Sequence, residues 1–556
     1  MKWACHAGTV NRFRSFRAWS LAPLVVICLL FILAGAWLRM NYSPEWLQVD
    51  HTQHPPVLRP WPVEADCYSQ LARVQRILNG DGLIQNHFKV ENWPEGMVPS
   101  TTAPFDYLIL LLYAPLKLFT QFPLDWAGAL VSPFLWLALI GFWMFFRSRE
   151  FNLTGKALLL IGFCLMPELV WATAFGHSRH LSLTLSLLAV GLTAEFERWH
   201  ANLSPRRSWH IFAGIVWGMA CWSSLFEPLI VLTLLLVFNL IVRRRENLLF
   251  LGSMGAVLCI SFLIEGPHVI LAGLALTSPP PGYQDALNNW LGSIAEVQGY
   301  GRGDLHYFFT DLTLIFLALP LMAWRLLKRE GDRRTDWFIA LITLLLMILT
   351  TYQRRWIYYA NVAELLLIAR YCQQMPLRWT RIVVISIFLI GLVDADYERM
   401  LDRAIEPSAQ PSPELAEIAR AIDGPGGIMA PWWLSPGLLY LSGNPIVSGS
   451  SHCGITGIVD SARFYTATSW IQAREILQRR KVRWILITND SEYVYPVLNV
   501  NRRILGLPDY TEQSKEQAEA TVWQIMLTAH LLPPDFKLRA VTPLCRLYEY
   551  TTDAAD

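Results

Sequence analysis

The sequence predicts a polytopic α-helical membrane protein of about 11–13 transmembrane helices, followed by a mixed α/β domain at the C-terminus. Three observations carry that prediction. Of 556 residues, 53% are hydrophobic and only 16% charged, with 24 Trp, a balance foreign to soluble enzymes. Apolar runs of spanning length recur and are separated by loops rich in Arg and Lys. After Asp394 the composition shifts through a Pro-rich stretch into about 140 residues of ordinary α/β character. The net charge of +2 offers no basic footprint for nucleic acid. The nine Cys are scattered singly, without the close pairs of a zinc or redox motif. Most fit as small buried hydrophobes, while Cys67, Cys453 and Cys545 sit in polar regions where an oxidising side would allow pairing.

Taken in order, residues 1–20 form a basic segment with Lys2, Arg12, Arg14 and Arg17 and no acid. They precede an apolar run over 21–38. The basic flank is expected in the cytoplasm, so the chain exits at residue 39. A signal peptide is the alternative, but Arg39-Met40-Asn41 lacks a small-residue cleavage pattern. Residues 39–125 are then the first outer segment. Within it 68–78 has helical periodicity and Asn79-Gly80-Asp81-Gly82 ends the helix. The apolar stretch 107–119 is only thirteen residues long, the length of an interfacial or re-entrant helix. Treating it as non-crossing places the Arg147, Arg149 and Lys156 loop after 126–146 inside, as the positive-inside rule requires.

The runs 157–175, 181–196, 211–225, 226–242, 248–264, 307–327, 337–352, 356–371 and 382–395 then alternate, giving eleven crossings with every dense basic loop inside. The run 268–276 is a further candidate. Residues 21–395 thus make the membrane domain, with a long outer loop over 265–306 and a linker over 396–413. In the outer domain, 414–556, the stretches 428–433, 445–447 and 482–488 are expected as strands and 461–480 and 514–527 as helices.

This topology gathers five polar clusters on one face: Glu64/Asp66, Gly176-His177-Ser178-Arg179-His180, Ser293-Ile294-Ala295-Glu296, Arg354-Arg355 and Trp432-Trp433. Asp66 and Glu296 are oxygen donors suited to a hard divalent cation, Mg or Mn. Asp66 is equally placed to be a helix N-cap or a solvated loop carboxylate. His177 and His180 are candidate metal ligands or interfacial polar residues. Arg354 and Arg355 offer guanidinium groups for a phosphate, with snorkelling to the interface as the other explanation. Trp432 and Trp433 are core filler, interfacial aromatics or a recognition platform.

In this order and spacing the clusters resemble the catalytic subunit of oligosaccharyltransferase, a GT-C membrane glycosyltransferase. Glu64-Ala65-Asp66 ahead of a helix looks like the family's first outer loop, and the resemblance carries Asp66 over as a catalytic and metal-binding acid. Ser293-Ile294-Ala295-Glu296, followed by Tyr307-Phe308-Phe309-Thr310-Asp311, looks like its Ser/Thr-x-x-Glu motif and gives Glu296 the same roles. Arg354, with Arg355 as the alternative, matches the arginine that holds the donor pyrophosphate. Ile428-Met429-Ala430-Pro431-Trp432-Trp433 is similar to the strand that ends in the family's acceptor-reading Trp-Trp-Asp. Two positions depart. Arg179 stands near the acid of the second-loop metal motif, with His180 near its first His, and Leu434 replaces the Asp of Trp-Trp-Asp.

The resemblance implies an inverting transfer of a sugar or oligosaccharide from a polyprenyl-phosphate or -diphosphate carrier, with the donor entering laterally from the lipid. The acceptor is a protein, a lipid or a cell-wall polymer, and a catalytically inactive relative is a further reading. A bacterial inner-membrane location is expected, and the charge pattern places the active face outside. A transporter is the reading from another class, and it would place its charges at mid-membrane rather than at helix ends.

Overall fold

The computed structural model describes residues 26–50, 53, 55–99, 102–145, 151–199, 207–241, 247–267, 270, 277–294, 296–301, 308–309, 311–328, 333–375, 378–405, 412–488, 494–529 and 532–551. The basic segment 1–20, Arg147, Arg149, Arg206, the arginines 243–245 and nearly all of the candidate run 268–276 lie outside them.

Helix α1 (Val26–Asn41) ends at a buried arginine. Arg39 donates to the carbonyl oxygens of Phe163 at 2.8 Å and Cys164 at 3.0 Å, and its guanidinium lies 4.0 Å from the Trp136 ring. A cation can be buried there because exposed helix-end carbonyls and an aromatic face replace its water. The hairpin β1 (Leu47–Asp50) and β2 (Val57–Pro60) leads into α2 (Ala65–Leu78), α3 (Ala103–Leu116) and α4 (Pro123–Phe145). The apolar stretch expected over 107–119 is the fourteen-residue α3, which starts four residues earlier and ends at Leu116.

The run 157–175, expected as one crossing, is divided into α5 (Leu153–Leu165) and α6 (Pro167–Ala172). Pro167 has no N–H to continue the helical ladder, and it starts the second piece instead. Next come α7 (His180–Trp199), α8 (Arg207–Ser223), α9 (Phe226–Ile241), α10 (Leu248–Glu265) and the short α11 (Gln284–Leu291). The bundle finishes with α12 (Ile315–Leu327), α13 (Arg333–Tyr352), α14 (Ile357–Gln373) and α15 (Arg378–Ile405). Helix α14 is its axis: every residue from Ile357 to Cys372 is buried, and α5, α7, α12 and α13 pack around it. Its apolar side chains point to all sides, and the polar ones among them are buried as well, Arg370 paired with Asp336 at 2.8 Å. Among the described residues three helices, spanning Pro123–Met144, Leu248–Glu265 and Arg334–Tyr352, are long and apolar enough to cross a membrane, with shorter apolar helices beside them. On α10, Ile260, Phe262 and Leu263 face outward, the surface lipid would cover.

Helix α15 continues through Ile405, so the first ten residues of the expected linker 396–413 are helical. The C-terminal part begins with α16 (Ser412–Arg420) and contains a four-stranded sheet ordered β3-β4-β6-β5. Strand β3 (Gly427–Met429) pairs parallel with β4 (Val482–Thr488), and β4, β6 (Cys545–Tyr550) and β5 (Phe536–Val541) pair antiparallel. Expected strand 482–488 is reproduced. Expected strand 428–433 stops at Met429, because Pro431 cannot donate to a ladder and Trp432-Trp433-Leu434 form a turn into α17 (Ser435–Ser442).

The stretch 461–480 is two helices, α18 (Ile455–Thr466) and α19 (Trp470–Arg479), with Ser469 in extended backbone ahead of the second. Helix α20 (Val494–Ile504) follows, and expected helix 514–527 is likewise split, into α21 (Lys515–Glu519) and α22 (Val522–Thr528). Strands β5 and β6 were not expected. A single apolar core joins the two parts of the chain: Tyr68 and Leu71 of α2 and Phe105 of α3 pack with Ile428, Leu438 and Trp484. Cys67, Cys453 and Cys545 are all free thiols.

Candidate active site

Helix α2 starts with Glu64 in extended backbone at its N-cap and Asp66 in its first turn, where the helix dipole favours a carboxylate. The cap position therefore belongs to Glu64, and its side chain makes no cap hydrogen bond; the carboxylate turns outward to another loop. That loop joins α6 to α7 and lies close against the approach to α2. Gly176 adopts φ +80°, and a Cβ there would meet the Trp46 Cβ at 2.8 Å and the Trp61 carbonyl at 3.0 Å. The Val63 N–H donates to the Gly176 carbonyl at 3.4 Å, and Ser178 Oγ donates to the Cys67 carbonyl at 3.3 Å.

These contacts aim Arg179 into the acidic cluster. Its Nη1 donates to Glu64 Oε2 at 2.8 Å and Glu296 Oε1 at 2.9 Å, while Nη2 donates to Glu296 Oε2 at 3.1 Å and lies 3.3 Å from Asp66 Oδ2. The guanidinium also sits 5.3 Å from the Trp171 ring. Glu296 thus receives a bidentate pair, the strongest arrangement open to the two groups. Asp66 is the least enclosed of the three acids, with 44% of its side chain exposed against 27% for Glu64 and 31% for Glu296.

Glu296 comes from the long loop, which is fastened to the end of α13 through its backbone. The Arg355 N–H donates to the Glu296 carbonyl at 2.9 Å, the Arg354 N–H to Gln298 O at 2.9 Å, and the Tyr300 N–H to Thr351 O at 3.3 Å. Gly299 makes the approach possible, since a Cβ there would lie 2.5 Å from the Thr351 carbonyl. The two arginines then diverge. Arg355 forms an ion pair with Glu227, at the start of α9, whereas Arg354 lies 4.6 Å from the ring of Tyr300. Tyr300 in turn donates to Asp311 Oδ2 at 2.5 Å. His180 opens α7 within electrostatic reach of Glu227, Arg179, Asp66 and Arg355.

The protons on this cluster are unevenly held. Burial, together with the charges of Glu296 and Asp66, raises Glu64 to about 7 against the pull of Arg179. The bidentate Arg179 outweighs burial at Glu296, which is held below the ordinary carboxylate range. The surrounding carboxylates hold Arg179 charged despite its burial. Nearby Glu91, at 1% exposure, is raised to about 8 by burial and then by the charge of Asp66.

Four of the five sequence-predicted clusters therefore meet directly. The fifth joins them through packing. Trp432 contacts Trp290 of α11 edge-on at a ring separation of 5.8 Å, so it braces the loop that carries Glu296, and Trp433 packs into the core shared with α2. The divalent metal expected on Asp66 and Glu296, with His180, does not fit the residues present. Both carboxylates face a guanidinium that already fills the space between them, and among the described residues no three His, Cys, Asp or Glu are grouped for a metal. Sequence reasoning took Arg179 as a lost ligand and left Glu64 and Glu227 without roles. The reversal of charge at an acid position between two acidic motifs was the available signal for the first. Nothing in the sequence pairs Arg355 with Glu227.

No protein-family model matches the sequence, and no curated relative matches it. Solved structures do share its fold. The archaeal oligosaccharyltransferase AglB from Archaeoglobus fulgidus, in complex with an inhibitory peptide and a dolichol-phosphate, superposes with a TM-score of 0.64 at 12% identity, covering 92% of this chain and 79% of that one. An Archaeoglobus fulgidus oligosaccharyltransferase in complex with Zn and sulfate gives 0.60 at 12% identity, over 91% and 78% of the two chains. ArnT from Cupriavidus metallidurans bound to undecaprenyl phosphate gives 0.54 at 12% identity, over 96% and 99%. The likeness is one of fold.

Proposed function

We propose that this chain is a membrane glycosyltransferase that moves a sugar or oligosaccharide from a polyprenyl-phosphate or -diphosphate carrier to an acceptor at the end of the helix bundle where the five clusters lie. The observation that carries this reading is the meeting of Glu64 and Asp66 with Glu296, more than two hundred residues away, on a long loop that the backbone N–H groups of Arg354 and Arg355 fasten in place. Solved structures of the same fold contain dolichol-phosphate and undecaprenyl phosphate, which supports a lipid-linked donor.

Asp66, the most exposed acid, accepts the proton of the acceptor nucleophile as its oxygen or nitrogen attacks the anomeric carbon. The bond from that carbon to the phosphate oxygen breaks, and the leaving phosphate carries the electron pair. Arg354 meets the phosphate charge; its neighbour Arg355 is committed to Glu227 and holds the α9 end against the site. Glu296 fixes Arg179, and Arg179 in turn holds Glu64 and Asp66 in register. Single displacement makes the transfer inverting.

Of the two acceptor classes, a lipid or cell-wall polymer is favoured by one residue. Leu434, where an acceptor-reading Asp is expected, is buried at 8% exposure in the core shared with α2, so no acid is offered at that end of the Trp pair. The proposed location is the bacterial inner membrane with the site facing outward. The test is transfer by purified protein from a crude polyprenyl-linked glycan extract, with a sequon peptide and total lipid as competing acceptors. Product in lipid supports this acceptor, glycopeptide moves the acceptor to protein, and no product from a validated donor pool contradicts the reading.

A further inference from the structure

The acidic cluster presents a problem of charge. Three carboxylates from two separate segments approach one another, and like charges at such separations repel unless a cation sits between them. In this chain the cation is part of the sequence. Arg179 reaches all three acids with two nitrogens, at 2.8 to 3.3 Å. Its position is built rather than incidental. Gly176 permits the close turn, Ser178 is tied to the α2 backbone, and Trp171 backs the guanidinium. Trp171 is itself stacked on Tyr358 of the central helix at 5.5 Å and 6°. Arg179 keeps only 12% of its side chain exposed, so displacing it would leave a cation without its solvation in a confined space.

We propose that Arg179 is a tethered cation that takes the place of a divalent metal at Glu64, Asp66 and Glu296, so that this chain assembles its acidic site and performs its transfer without binding a metal there. The inference rests on the glycosyltransferase reading for the word transfer, but the exclusion of metal from the cluster stands independently of it. A guanidinium is planar and fixed in charge, so it sets the spacing of the carboxylates without offering an open coordination position. Removing it should expose three hard oxygen donors, a set that suits Mg or Mn.

The experiment measures Mn binding to the full-length protein in detergent by electron paramagnetic resonance and calorimetry, for wild type, Arg179→Ala, Arg179→Lys and Arg179→Ala combined with Glu296→Ala. Wild type and Arg179→Lys are expected to bind no Mn at the cluster. Arg179→Ala is expected to gain one site that the added Glu296→Ala abolishes. In the transfer assay wild type should be indifferent to chelator, whereas Arg179→Ala should fall at least about 100-fold and recover in part with Mn. Stoichiometric Mn binding by wild type that Asp66→Ala removes would overturn the proposal, and this needs no variant of Arg179 to fold. The binding pattern without any transfer by wild type would leave the tethered cation standing and sink the glycosyltransferase reading; chelator-sensitive transfer would do the reverse.

Discussion

Glu64 and Glu296 bond to the same guanidinium yet shift in opposite directions, Glu64 upward to about 7 and Glu296 downward. Burial pushes both upward, and the difference lies in what opposes it: Glu296 takes both nitrogens, while Glu64 takes one and feels the charges of Glu296 and Asp66. A carboxyl raised on folding favours the folded state most below its unfolded value, and that contribution is lost as pH rises from about 4.5 through about 7. Thermal stability of wild type should therefore fall across this window relative to Glu64→Gln, and parallel curves for the two would refute the assignment. Glu296 has the opposite sign, so its contribution disappears only as pH falls below the ordinary carboxylate range. The neighbouring arginines separate in the same way. Arg354→Ala should raise KM for the polyprenyl donor at least about tenfold. Arg355→Ala should instead cost about 2–3 kcal/mol, because it leaves Glu227 buried without its partner while Arg355 itself keeps 34% exposure. Equal effects of the two substitutions on KM and stability would erase the distinction. Asp66 was legible as an acid ahead of a helix, Glu296 as an acid of the long loop, and Arg354 as a guanidinium at a helix end. Arg179 was not, because a side chain's partners depend on loops that only the folded chain brings together.

Among the elements, the long loop is the one that makes or breaks the site. It is held by backbone bonds to the end of α13, by Gly299 at its closest approach, and by Trp290 against Trp432. Gly299→Val would force the loop from Thr351 at a cost of about 1–3 kcal/mol and carry Glu296 away from Arg179. Transfer should fall by a factor close to that of Glu296→Ala, and a fully active Gly299→Val protein would show that the docked loop is not needed. Trp290→Ala and Trp432→Ala should weaken transfer alike, and non-additively when combined, if Trp432 acts through the loop. A selective change in acceptor KM from Trp432 alone would give it a direct recognition role. The apolar runs were readable because a helix in lipid must be apolar over its length; 181–196 lies within His180–Trp199 and 248–264 within Leu248–Glu265. Breaks were harder. Pro167 was in plain view, but the run around it is apolar on both sides, and hydropathy averages over a single residue. Strands β5 and β6 went unseen because Phe536–Val541 is mostly exposed and carries Lys537 and Arg539, which blur the alternation.

For the whole molecule, the shared core is what ties architecture to chemistry. The C-terminal sheet does not sit on a free linker: Ile428, Leu438 and Trp484 pack against Tyr68 and Leu71 of the helix that presents Asp66. Asp125 at the start of α4 accepts from Arg59 at 2.8 Å and from Tyr440 of α17, a second bridge between bundle and sheet. Loosening this core, for example by Leu438→Ala at about 2–5 kcal/mol, should lower transfer as well as stability, since α2 loses its support. The overall architecture was legible from the order of the motifs, whereas the merging of the two expected domains depends on contacts hundreds of residues apart. The measurement that bears most directly on the central claim is transfer of radiolabelled glycan from a polyprenyl-linked donor extract by purified wild type, Asp66→Asn and Glu296→Gln, each shown to be inserted and folded. Product from wild type with at least about a 100-fold loss in both variants is the expected result. Product formed equally by all three proteins would contradict an active site built on these two acids.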